Sequence, residues 1–334
     1  MRALALLVVA ALPAAADVEL GGRPSLRLGA GYDDNLFLDA QPSGPNPAQI
    51  RSDAIFDVQP SLLGWLETRR HTLSLSADYL DRLTTSSGDL RDANIGLGWI
   101  SPRWRRISFS LGGRYEHWTT KLYPEDTFDL GGAEAGLRLW LHERVGLDAQ
   151  YRFAARAYSD PLRLGQLDDD HRVRGALWVR PSRWLHVEAG YTYTHIHSTN
   201  DSASLDRHRV ELSVAATPLP WLLLSAAYAI APQHLPGWLH EPVGMSGMYI
   251  NRTRDDLVQW LDVSVTTRPV KWLELYARYQ LVSSSSTDPS GEYRRNQVIA
   301  GAVVRWDFVH LVRPLVPRVR GSVVTFRHRG PPGR

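Results

Sequence analysis

The sequence contains no cysteine among its 334 residues, which excludes a disulfide framework, a lipoprotein anchor cysteine and thiolate chemistry. It has only two lysines, Lys121 and Lys271, so its cations are almost all arginine. After the N-terminus, no apolar run approaches the roughly 20 residues that a transmembrane helix needs. The formal net charge is +3, and nothing in the charge pattern indicates a nucleic-acid-binding surface.

The sequence does contain a repeated tag, in which a small residue and then any residue precede a tyrosine. The seven tyrosines are Tyr32, Tyr79, Tyr115, Tyr151, Tyr191, Tyr228 and Tyr279. Most copies end an alternating run, as where Leu73, Leu75 and Ala77 lead in steps of two to the second copy. Because successive strand side chains point to opposite faces, each run predicts a strand with one apolar face and one polar face. A ring of tyrosines ending the apolar face is typical of the aromatic girdle of a transmembrane β-barrel. The alternative is a soluble all-β protein with one buried face.

The first 16 residues are typical of an export signal. Arg2 supplies the positive start, residues 3–12 the apolar run, and residues 14–16 the small-residue cleavage site. We predict cleavage before Asp17, which leaves residues 17–334 as the mature protein. The strand pattern then indicates an integral protein of the Gram-negative cell outer membrane.

Short turns and longer polar loops alternate along the chain. Turns such as residues 180–184 combine proline with a tryptophan near the start of the next strand. This rhythm predicts an all-β fold, a transmembrane antiparallel up-and-down β-barrel of about 14 to 16 strands with short periplasmic turns and longer extracellular loops. The firm strands lie between about residues 25 and 308, and residues 309–334 form either a tail or one extra strand.

One predicted loop stands out by its length and composition. Residues 234–255 form the longest connection, and it is unusually apolar, with Leu235, Trp238 and Leu239 among its side chains. An exposed apolar patch of this kind needs cover. We expect the loop to fold inward as a constriction; docking to a partner and lying on the outer leaflet are the alternatives.

The inward parity of the predicted strands holds charges of both signs. The lumen-lining candidates are Arg114, Glu116, Glu134, Arg138, Asp148, Arg152, Glu188, Arg209, Glu211, Asp262, Glu274 and Arg278. Such residues either pair across strands and stiffen the wall or line a path for a ligand, and a modest excess of arginine would weakly favour anions. About 14 to 16 strands imply a water-filled lumen unless a loop plugs it.

Inward-facing aromatic residues are candidates for stacking on sugar rings. They are Trp140, Trp178, Trp260, Trp272 and Tyr276. The alternative places them in the aromatic girdles at either end of the barrel, and this alternative is strongest for Trp272.

Few residue patterns suggest catalysis or metal binding. His195, His197 and Ser198 look similar to the His-x-Ser motif of outer-membrane phospholipase and lipid A deacylase barrels, but neither histidine has the spacing of that motif. Residues 33–35 and 168–170 are carboxylate-rich segments on predicted outer loops, where they either bind calcium or are simply solvated. There is no phosphate-binding glycine loop and no HExxH zinc helix. We predict no enzyme, no cofactor and no metal.

Residues 31–37, Gly-Tyr-Asp-Asp-Asn-Leu-Phe, resemble the first hairpin of a group of bacterial outer-membrane β-barrels. Members of that group occur in exopolysaccharide biosynthesis and export gene clusters. The resemblance implies a barrel that assists polysaccharide export. Barrels that sheathe electron-transfer cytochromes are similar in build, but they commonly have an N-terminal cysteine pair that this sequence lacks.

Together, these patterns predict an outer-membrane pore that assists export of a polysaccharide or diffusion of solutes. A non-specific porin, a barrel enzyme acting on outer-membrane lipids and a plugged structural scaffold are the alternatives. The expected partners are outer-membrane lipid, lipopolysaccharide and a periplasmic export protein, with no nucleic acid.

Overall fold

The computed structural model describes residues 19–34, 52–68, 71–85, 89–120, 127–159, 166–199, 203–243, 248–288 and 291–311. In these ranges the chain forms β-strands and no α-helix. Across the same ranges, no helix is long and apolar enough to cross a membrane. The predicted export signal lies outside the described residues.

Fourteen long strands and one short strand follow one another along the chain. They are β1 Glu19–Asp33, β2 Asp53–Glu67, β3 Thr72–Thr84, β4 Leu90–Ile100, β5 Ile107–Thr120, β6 Phe128–His142, β7 Val145–Tyr158, β8 Leu167–Val179, β9 Leu185–Ser198, β10 Leu205–Leu219, β11 Leu222–Val243, β12 Met248–Val270, β13 Leu273–Ser286, β14 Tyr293–Arg305 and β15 Phe308–Leu311. The connection between β6 and β7 has two residues, and those after β10 and β12 are equally tight. We call that end of the barrel the turn side and the opposite end the loop side.

Each long strand pairs antiparallel with its neighbours in the chain, and β14 pairs with β1. The closing ladder runs from Ser25 opposite Arg305 to Asp33 opposite Gln297. The prediction of a closed transmembrane up-and-down barrel is therefore confirmed, and its strand number is 14. β15 pairs with the first residues of β1 and prolongs the line of β14, so it adds length to the wall and not a further strand. Residues 312–334 lie outside the described residues.

Several predicted strand ends were wrong. β1 begins at Glu19 and not near Ser25, and it ends on Asp33, which was assigned to a loop. β8 begins at Leu167, so the acidic segment 168–170 belongs to a strand wall. Acidic residues indicate loops when they face water, but Asp33, Asp168 and Asp170 face partners inside the barrel.

The predicted loop over residues 234–255 was also wrong. β11 and β12 continue through it and pair with each other as far as Val243 opposite Met248. Beyond His234 and Asp256 these two strands pair with each other and, among the described residues, with no third strand. An isolated two-stranded ribbon has free edges, where proline is tolerated, so Pro236 and Pro242 are compatible with this hairpin. The side chains of residues 238–252 lie outside the described residues, and with them most of the predicted constriction.

The outer face of the barrel is apolar and exposed. Leu97, Val210 and Leu212 are each more than half exposed, and alternate residues on the same strands turn inward. An apolar surface that continues around every strand is unstable in water and is suited to the hydrocarbon of a bilayer. The wall therefore spans a membrane with its apolar face in lipid.

The tagged tyrosines lie on this outer face, and the hydroxyl groups of five of them point toward the loop side. Six of the seven are exposed, and Tyr279 is partly buried. Five hydroxyl groups bond to a side chain on the next strand, two residues loopward of the tyrosine's own pairing partner. The bonds join Tyr115 to Asp129 (2.5 Å), Tyr151 to His171 (2.8 Å), Tyr191 to His208 (2.7 Å), Tyr228 to Gln259 (2.8 Å) and Tyr279 to Asn296 (2.8 Å). The rings thus end the apolar band, and their hydroxyl groups begin a polar belt.

The seam between β1 and β14 depends on close backbone approach and a buried ion pair. A Cβ atom at Gly31 would collide with the carbonyl oxygen of Val298, so only glycine fits there. Asp33 has an exposed fraction of 0% and accepts hydrogen bonds from Arg295, at 2.8 Å from Nε, and from Gln297, at 2.6 Å. These contacts join the two ends of the sheet.

The two faces of β3 allow a matched test of the membrane band. We expect Leu75→Arg, on the exposed apolar face, to destabilise the inserted barrel by about 2–4 kcal/mol, because the guanidinium would enter hydrocarbon. Ser74→Arg places the same side chain on the inward face, and we expect it to fold normally. Urea unfolding of each variant in lipid vesicles measures the difference. Equal destabilisation of the two variants would contradict the assignment of the faces.

The seam ion pair provides a second test. Asp33→Ala leaves Arg295 partly buried without its carboxylate, and we expect a loss of about 3–5 kcal/mol in the free energy of unfolding. Asp81→Ala removes the partner of Arg91 in a more exposed pair and should cost less than about 1 kcal/mol. Vesicle unfolding and the temperature at which the barrel loses its folded gel mobility report both values.

Candidate functional site

The lumen wall is the candidate functional site, and paired charges dominate it. Ten of the twelve predicted lumen residues take part in ion pairs within the described residues. These pairs are Arg114–Glu116, Arg138–Asp148, Arg174–Glu188, Arg209–Glu211, Arg278–Asp262 and Arg305–Glu274. The other two candidates differ, because Glu134 accepts a hydrogen bond from Gln150 at 3.0 Å, whereas Arg152 has no carboxylate within 4.0 Å in the described parts of the chain.

The pair of Arg138 and Asp148 shows how the strands position these groups. The two residues are opposite each other on β6 and β7, and their side chains share the inward parity. Arg138 donates from Nε at 2.8 Å and from its terminal nitrogen at 2.6 Å, and Trp178 donates to the same carboxylate at 3.3 Å. Two parallel bonds fix both side chains against the wall, so this pair stiffens the sheet.

Inward-facing charges are more exposed on the turn side than on the loop side. The side chains of Arg138 and Arg278 are each 34% exposed, whereas those of Asp33 and Asp256 are 0% exposed. Solvent therefore reaches the wall on the turn side, and side chains close around the charges on the loop side. We call this closed level the loop-side layer.

Apolar side chains help to fill the loop-side layer. One buried cluster joins Phe128, Leu130, Ala154 and Tyr158, with Trp118 packed against it. A second cluster, on β11 to β14, is made of Ala229, Ala231, Val258, Trp260, Val282 and Tyr293. Within the described residues, wall side chains therefore narrow the lumen, a role that the sequence had suggested for residues 234–255.

Four of the five predicted stacking aromatics turn inward, and arginines lie over their rings. The guanidinium-to-ring distances are 4.1 Å for Arg27 over Tyr276, 4.7 Å for Arg103 over Trp140, 4.8 Å for Arg209 over Trp260 and 5.3 Å for Arg180 over Trp178. Trp272 lies in the turn between β12 and β13 and is exposed, which fits the girdle alternative that was strongest for this residue. The inward four give the wall mixed aromatic and cationic surfaces.

The histidine and serine residues near the end of β9 lie on opposite faces. Ser198 points inward, is 1% exposed and accepts a hydrogen bond from Gln166 at 3.3 Å. His197 is exposed on the outer face, and His195 bonds there to Asp206 at 2.8 Å. Because strand neighbours point apart, neither histidine is placed to take a proton from Ser198.

The carboxylate-rich segments bond to arginine and other donors inside the barrel. Asp168 accepts from Tyr158 at 2.9 Å and from Arg156 at 3.3 Å, and Asp170 pairs with Arg172 at 2.9 Å. Within the described ranges, no three histidine or acidic side chains are grouped so as to hold a metal ion. Of the first segment, Asn35 lies outside these ranges.

Sequence reasoning missed several inward residues of the loop-side layer. Arg172 shares the parity of Arg174 on β8, and Arg207 shares that of Arg209 on β10, so alternation alone was enough to find them. Phe128 was missed because it is the first residue of β6, and alternation does not fix where a strand begins. The hydrogen bond from Gln233 to Asp256 depends on the register of β11 and β12, which alternation does not give.

Comparison with known proteins gives similarities of fold only. No family model matches the sequence, and no curated protein matches it. The TodX monoaromatic hydrocarbon channel deltaS2 mutant is similar over 87% of this chain and 90% of its own, with a TM-score of 0.48 and 9% identity. The anion-selective porin from Comamonas acidovorans is similar over 87% and 100%, with a TM-score of 0.47 and 9% identity. A bacterial polysaccharide outer membrane secretin is similar over 87% and 98%, with a TM-score of 0.43 and 13% identity.

The loop-side layer predicts a specific effect on conductance. Phe128→Ala removes an inward ring from the narrow level, so we expect a larger single-channel current in a planar bilayer. Phe109→Ala removes the same ring from the outer face and should leave the current unchanged. Equal currents from both variants and the unmodified barrel would show that Phe128 does not limit the passage.

Proposed function

We propose that this protein is a pore of the bacterial outer membrane that conducts polar solutes, with export of a polysaccharide as its leading role. A closed barrel of 14 strands is wider than the filled eight-stranded barrels and approaches the sixteen strands of open porins. Tight turns of outer-membrane barrels face the periplasm, so we place the turn side in the periplasm and the loop side at the cell exterior.

Inward charges are more exposed on the turn side than on the loop side, and this difference is the main support for the proposal. Side chains such as Arg138 and Arg278 are charged, partly exposed and directed away from lipid, which fits a water-containing vestibule. A structural scaffold has no need for such a vestibule. The loop-side layer would then act as the narrow level that sets conductance.

Sugar polymers are the preferred cargo because of the mixed wall. Inward aromatic side chains that are only partly buried, such as Trp140, offer apolar surface, while arginines and carboxylates offer hydrogen bonds to hydroxyl groups. The similarity of residues 31–37 to barrels of exopolysaccharide clusters supports the same cargo. Passage of small solutes without selectivity is the second candidate.

The proposal does not include catalysis. Ser198 and His197 lie on opposite faces of β9, so the pair that suggested a lipid enzyme has no common site. The proposed surroundings are outer-membrane lipid and lipopolysaccharide at the polar belt, and a periplasmic export protein at the turn side.

Single-channel recording of the refolded barrel tests the function directly. We expect discrete open steps that are blocked by oligosaccharides but not by neutral polyethers of similar size, because a polyether lacks hydroxyl groups along its chain. A folded barrel that passes no current would overturn the pore. Equal block by sugars and polyethers would favour the non-specific porin.

A further inference from the structure

We propose that Arg152, Arg172 and Arg207 form a binding site inside the lumen for a carboxylate group of the solute that passes. The inference rests on the proposed pore and adds a chemical class of ligand to it. We call these three residues the arginine cluster.

Register places the arginine cluster at one level of the wall. Arg152 on β7 is directly opposite Arg172 on β8, and Arg172 is opposite Thr194 on β9. Thr194 is in turn opposite Arg207 on β10. All three arginines have the inward parity. They lie on β7, β8 and β10 of four consecutive strands spaced about 4.8 Å apart, so their guanidinium groups are directed toward the same part of the lumen.

The wall supplies too few carboxylates for this cluster. Asp170 pairs with Arg172 at 2.9 Å, but Arg152 and Arg207 have no carboxylate within 4.0 Å among the described residues. Arg207 donates instead to the amide oxygen of Gln233 at 2.9 Å. Glu134 is opposite Arg152 on β6 and accepts a hydrogen bond from Gln150 at 3.0 Å.

Two further observations indicate that an anion completes the site. Like charges directly opposite each other on neighbouring strands are destabilising, and Arg152 and Arg172 are such a pair. The Nε atoms of both residues are buried and have no hydrogen-bond partner in the described chain. Buried donors without acceptors are costly, so a ligand with acceptor oxygens would remove both costs.

The chemistry of the cluster selects the ligand class. A guanidinium group matches a carboxylate with two parallel hydrogen bonds, and its charge is permanent. Trp260 lies near the same level, with Arg207 at 5.8 Å and Arg209 at 4.8 Å from its ring. A small free carboxylate or an acidic sugar in a longer chain meets these requirements.

The test compares two substitutions that remove equal charge from the lumen. Arg152→Gln alters the cluster, whereas Arg23→Gln alters an inward arginine at the turn-side end of β1 that pairs with Asp307. Block of single-channel current is measured with citrate and with a galacturonate hexamer in 1 M potassium chloride. At that salt charges interact over only about 3 Å, so the general field of the lumen is screened.

We expect both probes to block the unmodified barrel, and Arg152→Gln to weaken the block by about tenfold or more, since a hydrogen bond to a charged group is lost. Arg23→Gln should leave the block unchanged. A neutral glucose hexamer should show no dependence on Arg152. Block by the galacturonate hexamer without block by citrate would identify the ligand as an acidic sugar chain, and block by both would extend it to free carboxylates.

Equilibrium binding of citrate and of the hexamer to the detergent-solubilised barrel, followed by calorimetry, separates this inference from the pore itself. Binding that requires Arg152 in a barrel without current would support the site and overturn the pore. Binding of neither probe, or equal affinity and equal block in the Arg152→Gln and Arg23→Gln variants, would overturn the site even if current flows.

Discussion

Closure of the sheet is the constraint on which the rest of this structure depends. Hydrocarbon offers no partner to backbone N–H and C=O groups, so a sheet in a bilayer has to pair its first strand with its last. Here β1 meets β14 over nine residue pairs, and Gly31 lets the two backbones approach. The buried contact of Asp33 with Arg295 fixes the height at which they meet. A slip of one residue would turn every apolar side chain of the strand inward.

Closure also explains why sequence alternation was informative and where it failed. Lipid on one side and water on the other impose a period of two on every strand, so runs such as residues 73–79 identified strands, faces and tyrosines. Strand ends obey no such rule. Asp33 and Asp168 looked like loop acids because their arginine partners, Arg295 and Arg156, lie on other strands, and only register brings them together.

The candidate site was less fully predictable than the strands. The inward parity identified twelve wall residues, and ten of them pair in the described chain, but their partners required the register of the folded sheet. The prediction was wrong at residues 234–255, because the pairing of β11 with β12 beyond the barrel wall cannot be read from composition. The level at which the lumen narrows was also not predicted, because an inward Phe128 at the start of a strand resembles any other strand residue.

Because most charges of the wall are paired, the few that lack a pair are the ones that can act on a solute. Arginine and carboxylate groups that satisfy each other, such as Arg138 with Asp148, hold the wall still and leave little field for a solute. Against that background Arg152 and Arg207 stand out, because their neighbours do not neutralise them. Selectivity in such a lumen then comes from a local group of positioned donors and not from its net charge, which the pairs largely cancel. The stiff wall holds those donors in place before a solute arrives.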